Sequence, residues 1–431
     1  MAVATTADNG RDTSRQWLFS AAIIIVVGIL ATTLAQPQVL ARLPLQNLLK
    51  NELHVSRTAN AAFFFWAGLA WYFKPLFGIV IDAFPLLGSR RRNYMIVGAG
   101  AAGLAWLGVF FTPHLYGSLL GGVIIINVFM VIASTAVGGY MVEAAQASAA
   151  SGRLTALREF VQQVCLMIRG PLGGFLASVA FGWTAGACGL VVLLLVPTAA
   201  FFLFEKRMTV RSNEILSAAN TQFVRIVNAR TMWAAAGLTA LFYIAPGVNT
   251  AVFYIQQNAL HFNTQQQGML LLYYGIAGVI AALTYSWVCR RLNLRNLLIV
   301  CLLAATTSNA SYLFYTTPFN AQVINALDGF CYTLAELVMM DLAIRATPAG
   351  SESLGFSLMV SVRNFALFGT DLLGSYLMDT YHLPFNMLVI LNATFTVIAV
   401  PLSLFLPQTL VMRKDAEVHE DAAMPRSAMQ D

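Results

Sequence analysis

The stretch Phe73-Lys74-Pro75-Leu76-Phe77-Gly78-Ile79-Val80-Ile81-Asp82-Ala83-Phe84-Pro85-Leu86-Leu87-Gly88-Ser89-Arg90-Arg91-Arg92-Asn93-Tyr94 concentrates charge in a chain that otherwise has little of it. It closes one apolar run, Ala61 to Ile81, and opens the next, Tyr94 to Phe111, each long enough to cross a bilayer as a helix. Gly78 permits close helix approach, Asp82 can accept hydrogen bonds from a neighbouring helix end, and Arg90, Arg91 and Arg92 can pair with acids elsewhere. Together they read as a charge latch, with a plain cytoplasmic anchor as the alternative. The order of features returns about 200 residues on, where Gly278 precedes Arg290-Arg291.

Other polar landmarks recur in the same order. Asn51-Glu52-Leu53-His54-Val55-Ser56 is matched by Asn258-Ala259-Leu260-His261-Phe262-Asn263, 207 residues later, and Val142-Glu143-Ala144-Ala145 by Met340-Asp341-Leu342-Ala343, 198 residues later. Because the matches involve polar residues, chance similarity between apolar strings explains them poorly. Twelve spans result, from Trp17–Leu40 to Phe385–Leu406. The predicted fold is an all-α membrane protein with twelve transmembrane helices in two pseudo-symmetric six-helix bundles, residues 17–204 and 231–406. A cytoplasmic tail (1–16), a linker forming an amphipathic helix at the membrane surface (205–230) and a disordered cytoplasmic tail (407–431) complete the expected organisation.

Composition agrees. Of 431 residues, 58% are hydrophobic and 10% charged, against about 45–50% and about 25% in soluble domains. A soluble enzyme is excluded. The net charge of +6 reports orientation rather than a nucleic-acid partner, since 18 of the 25 Lys and Arg fall in segments on one side of the spans, three on the other (Arg42, Lys50, Arg57) and four within spans. Both termini are therefore expected in the cytoplasm. The five cysteines lie in apolar runs without a CxxC pair, and the five histidines lie in loops or the tail, so neither a disulfide framework nor a metal site is indicated. No phosphate loop or Ser/His/Asp grouping is legible, and no cofactor is expected. The first apolar run resembles a signal peptide, but the repeat requires it as a retained helix.

Ionisable groups inside spans are costly and mark function or internal pairing. Lys74 precedes Pro75, which should kink its helix. Arg158, Gln162 and Arg169 form one stripe, with Arg169 about 16 Å along the axis from Arg158 and so near mid-membrane. Asn325, Asp328, Tyr332 and Glu336 lie within about 80° of one another, and Arg363 and Asp371 differ by about 80°. A mid-membrane cavity lined by Lys74, Gln162, Arg169, Asp328, Tyr332, Glu336, Arg363 and Asp371 would hold an anion against its cations, while an acid carried a proton. The bland alternative is an internal salt bridge of Arg363 with Asp371 or Glu336. Glu143 and Asp341 end matching spans and read as gate acids facing Arg90–Arg92 and Arg290–Arg291.

The Gly78–Arg92 loop resembles the cytoplasmic signature of the major facilitator superfamily, with Ala83–Leu87 inserted between acid and basic cluster. That insertion, with Lys74-Pro75-Leu76-Phe77-Gly78 before it and Asn93-Tyr94 after it, resembles the folate-biopterin transporter family. Leu43-Pro44-Leu45-Gln46 through Leu53, and Ala346-Thr347-Pro348-Ala349-Gly350-Ser351-Glu352-Ser353 leading into Phe356–Ser361, fit the same pattern. The chain departs from it in the fourth span, where Ser134-Thr135-Ala136-Val137-Gly138-Gly139 stands in place of acids. The resemblance implies a proton-driven symporter with a folate, pterin or other small organic anion as substrate; a monomer in the bacterial inner membrane is expected. A muropeptide or nucleotide carrier, or a non-transporting receptor, is the alternative; an enzyme would need a reactive constellation that is absent from the sequence.

Overall fold

The computed structural model describes residues 5–148, 151–203, 212–289, 291–348 and 352–412. In chain order the helices are α1 (Thr5–Leu34), α2 (Arg42–Asn47), α3 (Arg57–Ala67), α4 (Leu69–Tyr72), α5 (Lys74–Ala83), α6 (Arg92–Phe111), α7 (Tyr116–Ser148), α8 (Ser151–Leu176), α9 (Phe181–Leu193), α10 (Leu195–Phe202), α11 (Ser212–Asn228), α12 (Arg230–Tyr243), α13 (Asn249–Asn258), α14 (Thr264–Val288), α15 (Leu294–Ser311), α16 (Pro318–Ala346), α17 (Glu352–Thr380), α18 (Phe385–Ser403) and α19 (Gln408–Val411). Among the described residues, seven stretches are long and apolar enough to cross a membrane: α6, α7 to Met141, α9 with α10, α14, α15 with the turn after it, α16 and α18. The other five expected spans are also helical, in α1, α3–α5, α8, α12–α13 and α17. They are shorter, interrupted or more polar, and the twelve-span count is compatible with this arrangement.

Boundaries differ from expectation at the ends. Helix α1 starts at Thr5, inside the expected tail, and stops at Leu34 rather than Leu40. The linker carries α11, and the C-terminal tail begins with the short α19; residues 1–4, 204–211 and 413–431 lie outside the described residues.

Several helix starts are written locally. The Asn263 side chain accepts from the Gln266 backbone N–H while the Gln266 side chain accepts from that of Asn263, a capping box at α14. Asn293 caps α15 in the same sense, and Thr317 caps α16 with Pro318 in its first turn.

The chain divides into two compact units, Met1–Val55 with Trp66–Ala219, and Ser56–Phe65 with Asn220–Asp431. In the first, α6 packs on α7 and α9, and α1 on α7 and α8. Trp106 is fully buried there and donates Nε1 to the Ala35 carbonyl at 3.2 Å. Asn127, buried in α7, accepts from Trp71 Nε1 (2.9 Å) and donates to the Ala67 carbonyl (2.8 Å), satisfying backbone freed where α3 gives way to α4.

In the second unit α16 packs on α14 and α15, and α15 on α18. The break between α12 and α13 falls at Pro246-Gly247, where Gly247 N–H donates to the Thr370 carbonyl at 2.8 Å. Gly247 lies so close to the α17 backbone that a Cβ would come within 2.7 Å of Asp371 Cα. His54 and His261, matched by the repeat, share positive φ values of 51° and 53°. The duplication is thus visible in backbone conformation as well as in sequence.

Candidate functional site

The expected span Ala61–Ile81 is divided, with breaks at Gly68 and Phe73 on either side of α4. Lys74 opens α5 ahead of Pro75, where a missing N–H is tolerated. Its Nζ donates to Ser134 Oγ on α7 at 3.2 Å and stands 5.1 Å from the Trp71 ring centroid. Arg158 of α8 adds like-charge repulsion rather than a counter-ion. Among the described residues no carboxylate pairs with Lys74. Gln162 and Arg169 are half-buried farther along α8.

The second unit holds a different arrangement. Arg363 of α17 forms an ion pair with Glu336 of α16, donates Nε to the Tyr243 hydroxyl of α12 at 3.2 Å, and donates Nη1 to Asn364 Oδ1 at 3.0 Å. Tyr332 stands beside Phe242, ring centroids 6.2 Å apart. Thr239, Tyr243, Met339, Met340, Ala343, Met359 and Arg363 line a cleft of about 10 Å³, room for one water. The Thr239 hydroxyl is buried with no hydrogen-bond partner.

Two members of the expected acid stripe are turned elsewhere. Asp328 accepts from Ser308 Oγ and Tyr312 OH of the α15 segment, both at 3.0 Å, and does not share the Arg363 cleft. Asp371 is buried and caps α13: it accepts from Thr250 N–H (2.9 Å) and Thr250 Oγ1 (2.7 Å). The Pro246-Gly247 break frees N–H groups at the start of α13, and a carboxylate from the neighbouring helix supplies an acceptor. Two turns along α17, Asp379 repeats the device at α3, accepting from Thr58 N–H at 2.8 Å, Thr58 Oγ1 at 2.9 Å and Arg57 Nε at 2.9 Å. Asp379 is not among the sequence candidates and Arg57 figures there only in the charge count; the signal is a Thr at each helix start, legible only once the partner acid on α17 is known.

The latch residues also sort differently. Asp82 pairs within its own loop, with Arg91 at 2.7 Å and Arg90 at 3.4 Å. Arg91 is buried against Gly139 of α7. Arg92 donates to the Ala200 carbonyl of α10 at 2.9 Å. The inserted segment turns tightly at Leu87 and Gly88, φ 50° and 79°, and is held by Asn93 Nδ2 on the Leu86 carbonyl (2.8 Å) and Tyr94 OH on that of Phe84 (2.6 Å). Gly78, expected at a tight crossing, has room for a Cβ, which would lie 3.7 Å from Thr135 Cγ2.

Asp341 does not face Arg291. It accepts from Arg345 one turn on (Nε 2.8 Å, Nη2 3.0 Å) and from Tyr285 OH (3.1 Å), while Arg291 stacks 3.7 Å from the Trp287 ring centroid. Arg290 and the Glu143 side chain lie outside the described residues. In the loop after α2, burial lowers the Lys50 ammonium pKa from its ordinary value. Nearby, Asn47, Glu52 and residues 176–181 line a separate cavity of about 290 Å³, with Glu52 held by His114 at 2.9 Å.

Comparison with known proteins draws these features together. The BT1 family matches residues 37–426. The folate-biopterin transporter of Synechocystis sp. is 24% identical over 405 residues, covering 89% of this chain and 81% of that one. Folate transporter 1 of Plasmodium falciparum is 22% identical over 388 residues, covering 86% and 75%. Among solved structures, a D-xylose-proton symporter superposes with a TM-score of 0.71 at 13% identity, covering 91% of this chain and 99% of that one. A nucleoside transporter gives 0.66 at 11%, covering 91% and 98%. These two likenesses establish the major facilitator fold. With the family matched from residue 37 to residue 426, the chain belongs to the BT1 family, and is an integral membrane transporter of folate-biopterin type rather than an enzyme.

Proposed function

We propose that this transporter moves a small organic anion, a folate or pterin, by alternating access and in symport with protons. The observation that carries the reading is Lys74: a cation in the second span, met by a hydroxyl and an aromatic face and, among the described residues, by no carboxylate, is a charge that awaits an anion. Gln162 and Arg169 on α8 extend the polar surface of that unit. The relatives named for folate and biopterin transport supply the substrate class.

The Arg363–Glu336 pair supplies an exchangeable partner. A solute carboxylate can replace Glu336 on the guanidinium, and Glu336 can then accept from the ring N–H groups of a pterin. Tyr243 and the methionines around the cleft give flat and polarizable surfaces for the ring. At about 10 Å³ the cleft is too small for such a solute, so occupancy requires it to widen, as a carrier with more than one conformation would.

On this reading residues 17–204 and 231–406 form six-helix bundles, both termini lie in the cytoplasm, and the monomer sits in a bacterial inner membrane. Asp82 with Arg90 and Arg91 orders the loop after α5 and Arg345 aligns Asp341, while Arg92 on the Ala200 carbonyl and Tyr285 on Asp341 are the contacts that hold neighbouring helix ends in one state and release in another. Uptake of radiolabelled folate into proteoliposomes tests the reading, with biopterin, a nucleotide and a muropeptide as competitors. Saturable uptake suppressed best by biopterin supports it; uptake suppressed only by the nucleotide or muropeptide reassigns the substrate.

A further inference from the structure

Asp328 is half-buried on α16 and does not line the cleft. It lies ten residues from Pro318, about 15 Å along the axis and so near the middle of the span. Its oxygens meet two hydroxyls, Ser308 Oγ and Tyr312 OH, each at 3.0 Å. Among the described residues no Lys, Arg or His pairs with it. A charged carboxylate with neutral partners alone is expensive in such a place. Hydroxyls, unlike a guanidinium, can reverse from donor to acceptor and so tolerate both protonation states.

The ionisable groups facing Asp328 are Tyr312 and Tyr315 at the end of α15 and Cys331 on α16 itself; Tyr274 of α14 faces Tyr312. Arg363 and Glu336 are engaged with Tyr243 and with each other. A polar string leads away from the site. The Tyr312 ring stacks on Tyr315, centroids 5.3 Å apart, and the Tyr315 hydroxyl accepts from Gln256 Nε2 and Asn325 Nδ2, both at 2.8 Å. Gln267 Nε2 continues to Gln256 Oε1 at 3.1 Å, and Gln257 Nε2 to Gln267 Oε1 at 3.2 Å, reaching the half-buried end of α13. Val252, Phe262, Leu270, Ile324 and Val389 form one apolar cluster with Tyr312 and Tyr315.

We infer that Asp328, cradled by Ser308 and Tyr312, is the proton-binding carboxylate of this transporter, separate from the Arg363–Glu336 pair that meets solute. This rests on the proton-symport reading above. One proton adds to the carboxylate on loading and leaves on release; no other bond changes. Two arms test it. In solute-free purified protein, the infrared band of a protonated carboxyl should be present in acid buffer, vanish in alkaline buffer, and be missing in Asp328→Asn. In proteoliposomes, Asp328→Asn should exchange radiolabelled folate across the membrane at within about twofold of wild type. It should lose accumulation driven by a pH gradient at least about tenfold. If Asp328→Asn fails to fold, Tyr312→Phe serves: losing a donor to the carboxylate raises its pKa, so the infrared midpoint should move to higher pH. An unchanged band in Asp328→Asn, gradient-driven accumulation at the wild-type level, or an unmoved midpoint in Tyr312→Phe overturns the inference. If wild type moves no folate at all, the substrate proposal fails, and the infrared arm still decides Asp328.

Discussion

Lys74 and Arg363 are both cations inside spans, and their surroundings differ in kind. Arg363 is spoken for by Glu336, Tyr243 and Asn364. Lys74 has a serine hydroxyl and a tryptophan face, with Arg158 repelling it. A buried pair is weak evidence for stability but very sensitive to losing one member. A buried charge with neutral partners is the reverse: removing it relieves the fold and damages whatever the charge was for. Under the proposed function, the contrast separates a cation that holds structure until solute competes for it from one kept for solute alone.

The contrast is most easily broken at Arg363. Arg363→Ala leaves half-buried Glu336 without its cation and should destabilise the protein by about 2 kcal/mol, read from thermal unfolding in detergent, whereas Arg363→Met with Glu336→Gln should recover most of that loss. If the single variant unfolds like wild type, the pair is not structural. Next comes Asp371→Ala, which removes the cap of α13 and should cost about 1–2 kcal/mol in the same measurement without selectively abolishing solute binding. A large, selective loss of folate binding in that variant would return Asp371 to the solute site. Asp379→Ala should cost about 1 kcal/mol, since Thr58 N–H at the start of α3 can turn to water more readily. Smallest is Lys74→Ala, whose unfolding should shift by no more than about 0.5 kcal/mol in either direction; a loss as large as that of Arg363→Ala would erase the distinction.

Much of this was legible without coordinates. Apolar run lengths, the sidedness of Lys and Arg and the repeated polar landmarks led to the fold class, and the Lys74–Tyr94 stretch pointed to the family. Rotational arithmetic on single helices failed where neighbours decide. Asp328 and Glu336 are about 80° apart on α16 and read as one stripe, but α15 approaches the first and α17 the second, so they serve separate centres. Asp371 was misplaced for another reason. Its role depends on the interruption at Ala245-Pro246-Gly247, a helix-breaking signal inside an apparently continuous run. Reading that signal would have predicted unsatisfied N–H groups at mid-span and an acceptor to meet them. Asp341 shows the cost of matching gate acids to distant arginines when Arg345, one turn away on the same helix, was the available partner.

The most direct test is uptake of radiolabelled folate by proteoliposomes reconstituted with equal amounts of folded wild-type and Lys74→Ala protein under an inward proton gradient. Saturable accumulation by wild type, with loss of at least about tenfold in the variant, is the expected result. Equal accumulation by both proteins would contradict the assignment of Lys74 as the cation that receives the transported anion.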